Sequence, residues 1–339
     1  MSRLDAPGRI LVTGGAGFIG SHYVRTLLGA GGSAPARLTV LDLLTYAGNP
    51  ANLDAVRSDP RFRFVRGDIR DAGLVDRLVA DHDVVVHFAA ESHVDRSILD
   101  AGAFVSTNVL GTQTLLDAVL RHGGRTFVHV STDEVYGSIE AGSWPESDPL
   151  QPNSPYAASK AASDLLALAY HRTHGLDVRV TRCSNNYGHH QNPEKVIPRF
   201  VTRLLQGERV PLYGDGSHVR DWLHIDDHVQ GIELVRAHGA PGEVYNIGGG
   251  TELSNRELTG MILDACGADW DRVEFVADRK GHDRRYSVDC GKISAIGYHP
   301  RREFTEGLAE TVAWYASHRG WWEPLTRPSA PALATAAGN

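Results

Sequence analysis

The chain has 339 residues, 42% hydrophobic and 22% charged, which is the composition of a globular protein with one large core or two smaller ones. Its formal charge of −7, from 41 acidic and 34 basic side chains, argues against the basic face of a nucleic-acid binder, though a local Arg/Lys cluster can still hold a small anion. Three cysteines (Cys183, Cys266, Cys290) without a CxxC spacing exclude a disulfide framework or a cysteine–zinc site, and no run reaches the roughly 18 apolar residues of a membrane span. Met1 to Arg9 is polar and lacks the pattern of a signal peptide, so a cytoplasmic location is expected.

In chain order, the apolar run Arg9 to Val12 predicts a strand. It leads into Gly14-x-x-Gly17-x-x-Gly20 and then an amphipathic segment, Ser21 to Leu28. Strand, glycine loop and helix form a phosphate cradle, in which the glycines allow a tight turn, close backbone approach and close helix packing. A second strand, Leu38 to Leu41, ends in Asp42, just over 20 residues past the loop, where a carboxylate meets a ribose hydroxyl and favours NAD over NADP. Phe62 to Val65 predicts a third strand, Asp71 caps a helix to about Ala80, and Val84 to Phe88 has the continuous apolar character of a buried parallel strand. A helix from about Phe104 to Arg121 and the strand Thr126 to Val130 follow. The alternation predicts an α/β fold with a doubly wound parallel sheet of Rossmann type.

The stretch from Val130 to Lys160 holds the most chemistry. Asp133 and Glu134 are adjacent carboxylates at a strand end. Ser154-Pro155 predicts a helix start, and that helix, running to about Arg172, carries Tyr156 and Lys160 on one face. One ionised carboxylate disfavours ionisation of its neighbour, which suits an acid and a base side by side. After the strand Val178 to Arg182 the elements shorten and polar loops dominate. The expected division is therefore 1–182 with 217–247 for the cofactor, 183–216 with 248–326 as a smaller mixed α/β substrate lobe, and a disordered Pro/Ala-rich tail, 327–339. The 17 histidines show no ligand spacing with a partner acid, so no metal site is expected.

With the glycine loop and Tyr156-x-x-x-Lys160 in place, the chain resembles the extended short-chain dehydrogenase/reductase superfamily. Four segments, His93 to Ser97, Thr132 to Gly137, Asn185 to Gly188 and Asp278 to Asp283, resemble its dTDP-glucose 4,6-dehydratase family, and the likeness spans roughly residues 9 to 322. Sugar-nucleotide 4-epimerases of that superfamily usually have small or hydroxyl residues where Asp133 and Glu134 stand. The chain departs from the family at His189-His190 and at Lys280.

The resemblance implies NAD⁺, tightly held and regenerated each turnover, bound by Gly14, Gly17, Phe18, Ile19, Gly20, Asp42, Leu43, Thr45, Asp68, Ile69, Phe88, Ala89, Ala90, Ser92, Thr107, Tyr156, Lys160 and Asn186. It implies a nucleotide sugar held by Ser92, Thr132, Asn185, Lys195, Val196, Pro211, Tyr213, Arg220, Asn255, His282, Arg285 and Tyr286. A free tyrosine titrates near 10, too high for a base at neutral pH. Lys160 and a nicotinamide cation would favour its phenolate. Tyr156 then takes the proton of the sugar C4 hydroxyl and Thr132 hydrogen-bonds the same oxygen. The resemblance assigns Glu134 as base for C5 and Asp133 as acid for the leaving C6 hydroxyl. It also implies a homodimer. A 4-epimerase or decarboxylase on another nucleotide sugar and a non-catalytic NAD-binding regulator are the competing readings. Asp133 and Glu134 argue against the epimerase, and the intact Tyr156, Lys160 and acids argue against the regulator.

Overall fold

The computed structural model describes residues 8–29, 35–279 and 281–326. The tail 327–339 and Lys280, singled out above, lie outside the described residues. The elements are β1 (Arg9–Thr13), α1 (Phe18–Leu28), β2 (Arg37–Asp42), β3 (Phe62–Arg66), α2 (Ala72–Ala80), β4 (Val84–His87), α3 (Val94–Leu99), α4 (Ala101–Phe104), α5 (Gly111–His122), β5 (Thr126–Thr132), α6 (Pro155–His174), β6 (Asp177–Cys183) and β7 (Asn185–Tyr187). Then come α7 (Val196–Leu205), β8 (Val210–Tyr213), β9 (Val219–His224), α8 (Ile225–His238), β10 (Val244–Ile247), β11 (Glu252–Ser254), α9 (Asn255–Cys266), β12 (Val273–Val276), α10 (Gly291–Ser294), α11 (Phe304–Ser317) and α12 (Arg319–Thr326).

Seven parallel strands form the large sheet in the order β10-β6-β5-β4-β1-β2-β3. Strand order therefore reverses between β1 and β4, and a crevice opens there at the carboxyl ends of the strands. The central strands are buried on both faces. Their apolar side chains divide between one core beneath α1 and α8 and another beneath α2, α5 and α6. Two small sheets, β11-β9-β7 and β12-β8, surround a third core that includes Ile197, Phe200, Leu258, Ile262, Leu308 and Trp322.

Local rules hold where the sequence is most regular. Asp71 accepts from the Leu74 N–H at 3.0 Å to start α2, and Ser154 accepts from the Ala157 N–H at 3.1 Å to start α6. Helix α6 ends at Gly175, which takes the left-handed conformation of a helix C-cap.

The expected helix from Phe104 to Arg121 is not uniform. A wide π turn over Val105–Leu110 separates α4 from α5. It aims buried Asn108 inward, where its amide accepts from the Glu91 N–H at 2.8 Å and donates to Glu91 O at 3.0 Å and Ser159 Oγ at 2.9 Å. Helical periodicity carries no sign of this polar demand, which distorts the helix locally.

Candidate active site

The crevice is a cavity of about 480 Å³ running from the glycine loop to the ends of β5 and β6. Every residue expected to bind the cofactor lines it: Gly14, Gly17, Phe18, Ile19, Gly20, Asp42, Leu43, Thr45, Asp68, Ile69, Phe88, Ala89, Ala90, Ser92, Thr107, Tyr156, Lys160 and Asn186. The glycine loop has no space for side chains. Gly14 sits at φ +70°, and a Cβ there would lie 2.5 Å from the Ala89 backbone nitrogen. A Cβ on Gly20 would lie 2.4 Å from Gly14 O. Gly17 starts α1 without a side-chain cap, so the first N–H groups of the helix face the crevice, where they suit a pyrophosphate. The Asp42 carboxylate accepts from the N–H groups of Ala16 at 2.9 Å and Leu44 at 2.8 Å. This fixes its oxygens at the end of β2, each with a lone pair to spare for a ribose hydroxyl. Loop, helix end and carboxylate thus fit an NAD molecule.

The reacting groups gather at the far end. Strand β5 delivers Thr132, and a single 3₁₀ turn, Asp133–Tyr136, presents both acids to the cavity. Thr132 accepts from the Glu134 N–H at 3.3 Å and donates to Asp133 Oδ1 at 3.3 Å. Asp133 Oδ2 is buried without a hydrogen-bond partner. Burial, then the charges of Glu134 and Asp221, push the Asp133 carboxyl well above the usual carboxylate range. Burial raises Glu134 as well, but Arg279, Lys195 and Arg220 all pull it down. The two acids are therefore unequal, and Asp133 is the one whose protonated form the site favours more.

Tyr156 and Lys160 stand one turn apart on α6, both buried. Lys160 Nζ donates to Val130 O at 2.8 Å, which points the amine at the end of β5. Burial lowers the amine to about 8, against the opposing pull of Asp164 and Cys183. Burial, then the charge of Glu134, push the Tyr156 phenol up, and Thr132 is a neighbour that pulls it down. Below the pair, fully buried Asp164 accepts from Arg182 Nε at 2.9 Å and faces His129 Nε2 at 3.2 Å. This network ties α6 to β5 and β6 beneath the reacting groups.

Of the residues expected on the nucleotide-sugar side, Ser92, Thr132, Asn185, Lys195 and Val196 line the cavity. Lys195 Nζ donates to Ser92 O at 2.9 Å. Pro211, Tyr213, Arg220, Asn255, His282, Arg285 and Tyr286 lie outside its lining. Arg220 and Tyr286 are nonetheless close to the acids. The guanidinium stacks over the Tyr286 ring at 4.2 Å, both side chains are buried, and both feel the Glu134 charge. Tyr213 meets His282 edge to face at 6.2 Å, and Asn255 opens α9 with its N–H on His218 O at 2.8 Å. Pro211 is in β8, paired with Glu274 of β12. Arg285 turns elsewhere: its guanidinium grips the Glu252 carboxylate at 2.6 and 2.7 Å.

His189 and His190 pack on Trp314, with ring centroids at 5.9 and 4.4 Å, so they join an aromatic cluster on α11. Sequence reasoning missed Asn108 as well as Glu194, whose carboxylate lines the cavity beside Lys195 and lies 3.5 Å from Arg96. Neither gave a signal beyond Glu194's place in the Pro-Glu-Lys loop.

Comparison with known proteins gives a consistent result. The GDP-mannose 4,6 dehydratase family profile matches residues 11–311. A dTDP-glucose 4,6-dehydratase from Streptomyces antibioticus is 68% identical over 328 residues, covering 95% of this chain and 97% of that protein. The crystal structure of DesIV, a dTDP-glucose 4,6-dehydratase from Streptomyces venezuelae with NAD and dTDP bound, superposes with a TM-score of 0.92 at 66% identity, covering 94% of this chain and 99% of that one. A UDP-glucose 4-epimerase from Thermotoga maritima also shares the fold, with a TM-score of 0.84 at 32% identity over 91% of this chain and 99% of that one. Architecture alone does not separate these activities, so the assignment rests on identity along the chain and on the acid pair. The chain belongs to the dTDP-glucose 4,6-dehydratase family.

Proposed function

We propose that the protein is an NAD-dependent hydro-lyase that converts dTDP-glucose to dTDP-4-keto-6-deoxy-glucose. The observation that carries this reading is that one 3₁₀ turn presents Asp133 and Glu134 to the same cavity as Thr132, Tyr156 and Lys160, with Asp133 Oδ2 buried and without a partner. When bound, NAD⁺ accepts the hydride of sugar C4 and gives it back to C6. Tyr156 accepts the C4 hydroxyl proton, and Thr132 stabilises the same oxygen. The C4 ketone acidifies C5, so Glu134 removes that proton. Asp133 gives its proton to the C6 hydroxyl, which leaves as water, and a proton exchanged with solvent returns to C5 as C6 receives the hydride. Lys160 supplies positive charge at the end of β5, and Lys195 and Arg220 offer cations to the diphosphate.

The supporting geometry also favours a division of the chain into a cofactor part, 1–182 with 217–247, and a sugar-nucleotide lobe, 183–216 with 248–326. Strand β9 is a shared element, since it pairs with β7 and β11 and leads into α8. A homodimer through α5 and α6 is part of the same proposal. Val105 and Leu110 in the π turn before α5, and Leu165 on α6, are large apolar side chains each at least half exposed. A cytoplasmic location fits as well, because no helix among the described residues is long and apolar enough to cross a membrane.

The test is direct. Purified protein is incubated with dTDP-glucose and no added reductant, and the alkali-induced absorbance of a 4-keto sugar is followed. Accumulation of that chromophore is expected. A C4 epimer, or unchanged substrate, would overturn the assignment.

A further inference from the structure

One side-chain cluster takes no part in the hydride and proton transfers. His218, next to the start of β9, and Asp278 and His282, at the two ends of a short loop 60 residues later, come together at the edge of the sugar-nucleotide lobe. Each contributes one donor atom, and all three atoms lie within 4.8 Å of one another. His218 Nε2 is 3.3 Å from Asp278 Oδ2, and His282 Nδ1 is 2.7 Å from Asp278 Oδ1. The two imidazoles stack at 3.8 Å with 15° between their planes, so both present a ring nitrogen to the same carboxylate.

We propose that His218, Asp278 and His282 form a binding site for one divalent transition-metal ion of the zinc class. Two imidazole nitrogens and a carboxylate oxygen are a donor set that suits such an ion, with water completing the shell. The imidazole side chains are 13% and 6% exposed, whereas Asp278 is 37% exposed, so the open side of the site faces solvent. Coordination of one ion by both rings requires them to turn out of this stack, about a terminal torsion that is broad for histidine. Arg279 on the loop faces Asp95 at 3.7 Å.

The position gives the ion a consequence, which rests on the function proposed above. The loop between Asp278 and His282 carries Arg279, one of the cations acting on Glu134. An ion held by three ligands from two chain segments would pin that loop to β9 and take His282 away from the nucleotide.

Equilibrium dialysis of the chelator-stripped holoenzyme against zinc chloride tests the site. His218→Gln and Asp278→Asn should each bind one zinc ion fewer per chain than the unaltered protein. Equal zinc counts in all three would overturn the proposal. This count needs no turnover, so it stands apart from the dehydratase assignment. Zinc should also raise the KM for the nucleotide sugar severalfold in the unaltered enzyme and leave it unchanged in His218→Gln. A zinc effect that persists in His218→Gln would overturn the coupling to the loop.

Discussion

The cofactor crevice and the sugar-nucleotide lobe are built differently. The crevice is assembled from strand ends in a regular parallel sheet, and each functional residue follows directly from the element that carries it. The lobe is assembled from loops far apart in sequence: Arg220 in β9 stacks on Tyr286, and Asp283 O accepts from Arg220 at 2.8 Å across 63 residues. Backbone hydrogen bonds of a regular sheet place the first set. Side-chain contacts between segments place the second, so a single substitution disturbs the two regions differently.

The largest effect should come from Glu134, where the two regions meet. Glu134→Gln keeps the shape of the turn but removes the base. Turnover should fall about 10²–10⁴-fold, while C4 oxidation still produces a transient absorbance of reduced cofactor on mixing with dTDP-glucose. Normal turnover would remove Glu134 from its role. Gly14→Ala breaks the crevice through its backbone. With φ at +70° and Ala89 N 2.5 Å from the added methyl, either the loop or β4 must shift. The expected result is protein purified without cofactor and a fall in Tm, read by absorbance and thermal melting.

Arg220→Lys probes the lobe. It keeps the charge but loses the planar stack on Tyr286 and the paired donors. A loss of about 1.5–3 kcal/mol, the range for hydrogen bonds to charged groups, would appear as a KM increase of roughly 10- to 100-fold. The kcat should change much less. A change confined to kcat would place Arg220 with the reacting groups instead of the diphosphate.

Asp133→Asn gives the smallest change in fold and the clearest pH signature. The folded carboxyl titrates above its unfolded value, so ionising it penalises the folded state. That penalty is absent below the unfolded value near pH 4 and grows as pH rises through the folded one. Asp133→Asn should therefore melt like the unaltered protein in acid and at a higher temperature at neutral pH, although it cannot protonate the leaving hydroxyl. Melting curves at the two pH values check this sign.

The same contrast explains what could be read from the chain. Strand periodicity, the glycine spacing and Asp42 fixed the crevice in advance, because each is a local rule of backbone geometry. The adjacency of Asp133 and Glu134 suggested an acid and a base, but their identities needed the neighbours Asp221, Arg220, Lys195 and Arg279, which arrive from elsewhere. The resemblance placed both Arg220 and Arg285 on the nucleotide sugar, and only the fold shows that Glu252 holds Arg285. Asn108 was hidden by a π turn that helical periodicity does not encode. The convergence of His218 with Asp278 and His282 could not be read from spacing, since its partners lie 60 residues apart. His189 and His190, which stood out as departures, proved to be packing partners of Trp314.

The central claim is that one bound cofactor takes hydrogen from C4 and returns it to C6 of the same sugar. The most direct measurement uses dTDP-glucose carrying deuterium at C4, with the product examined by mass spectrometry and proton NMR. The label should appear in the C6 methyl group of a 4-keto product, with one solvent-derived hydrogen at C5. Deuterium retained at C4 of an epimerised sugar, or lost to solvent, would contradict the account.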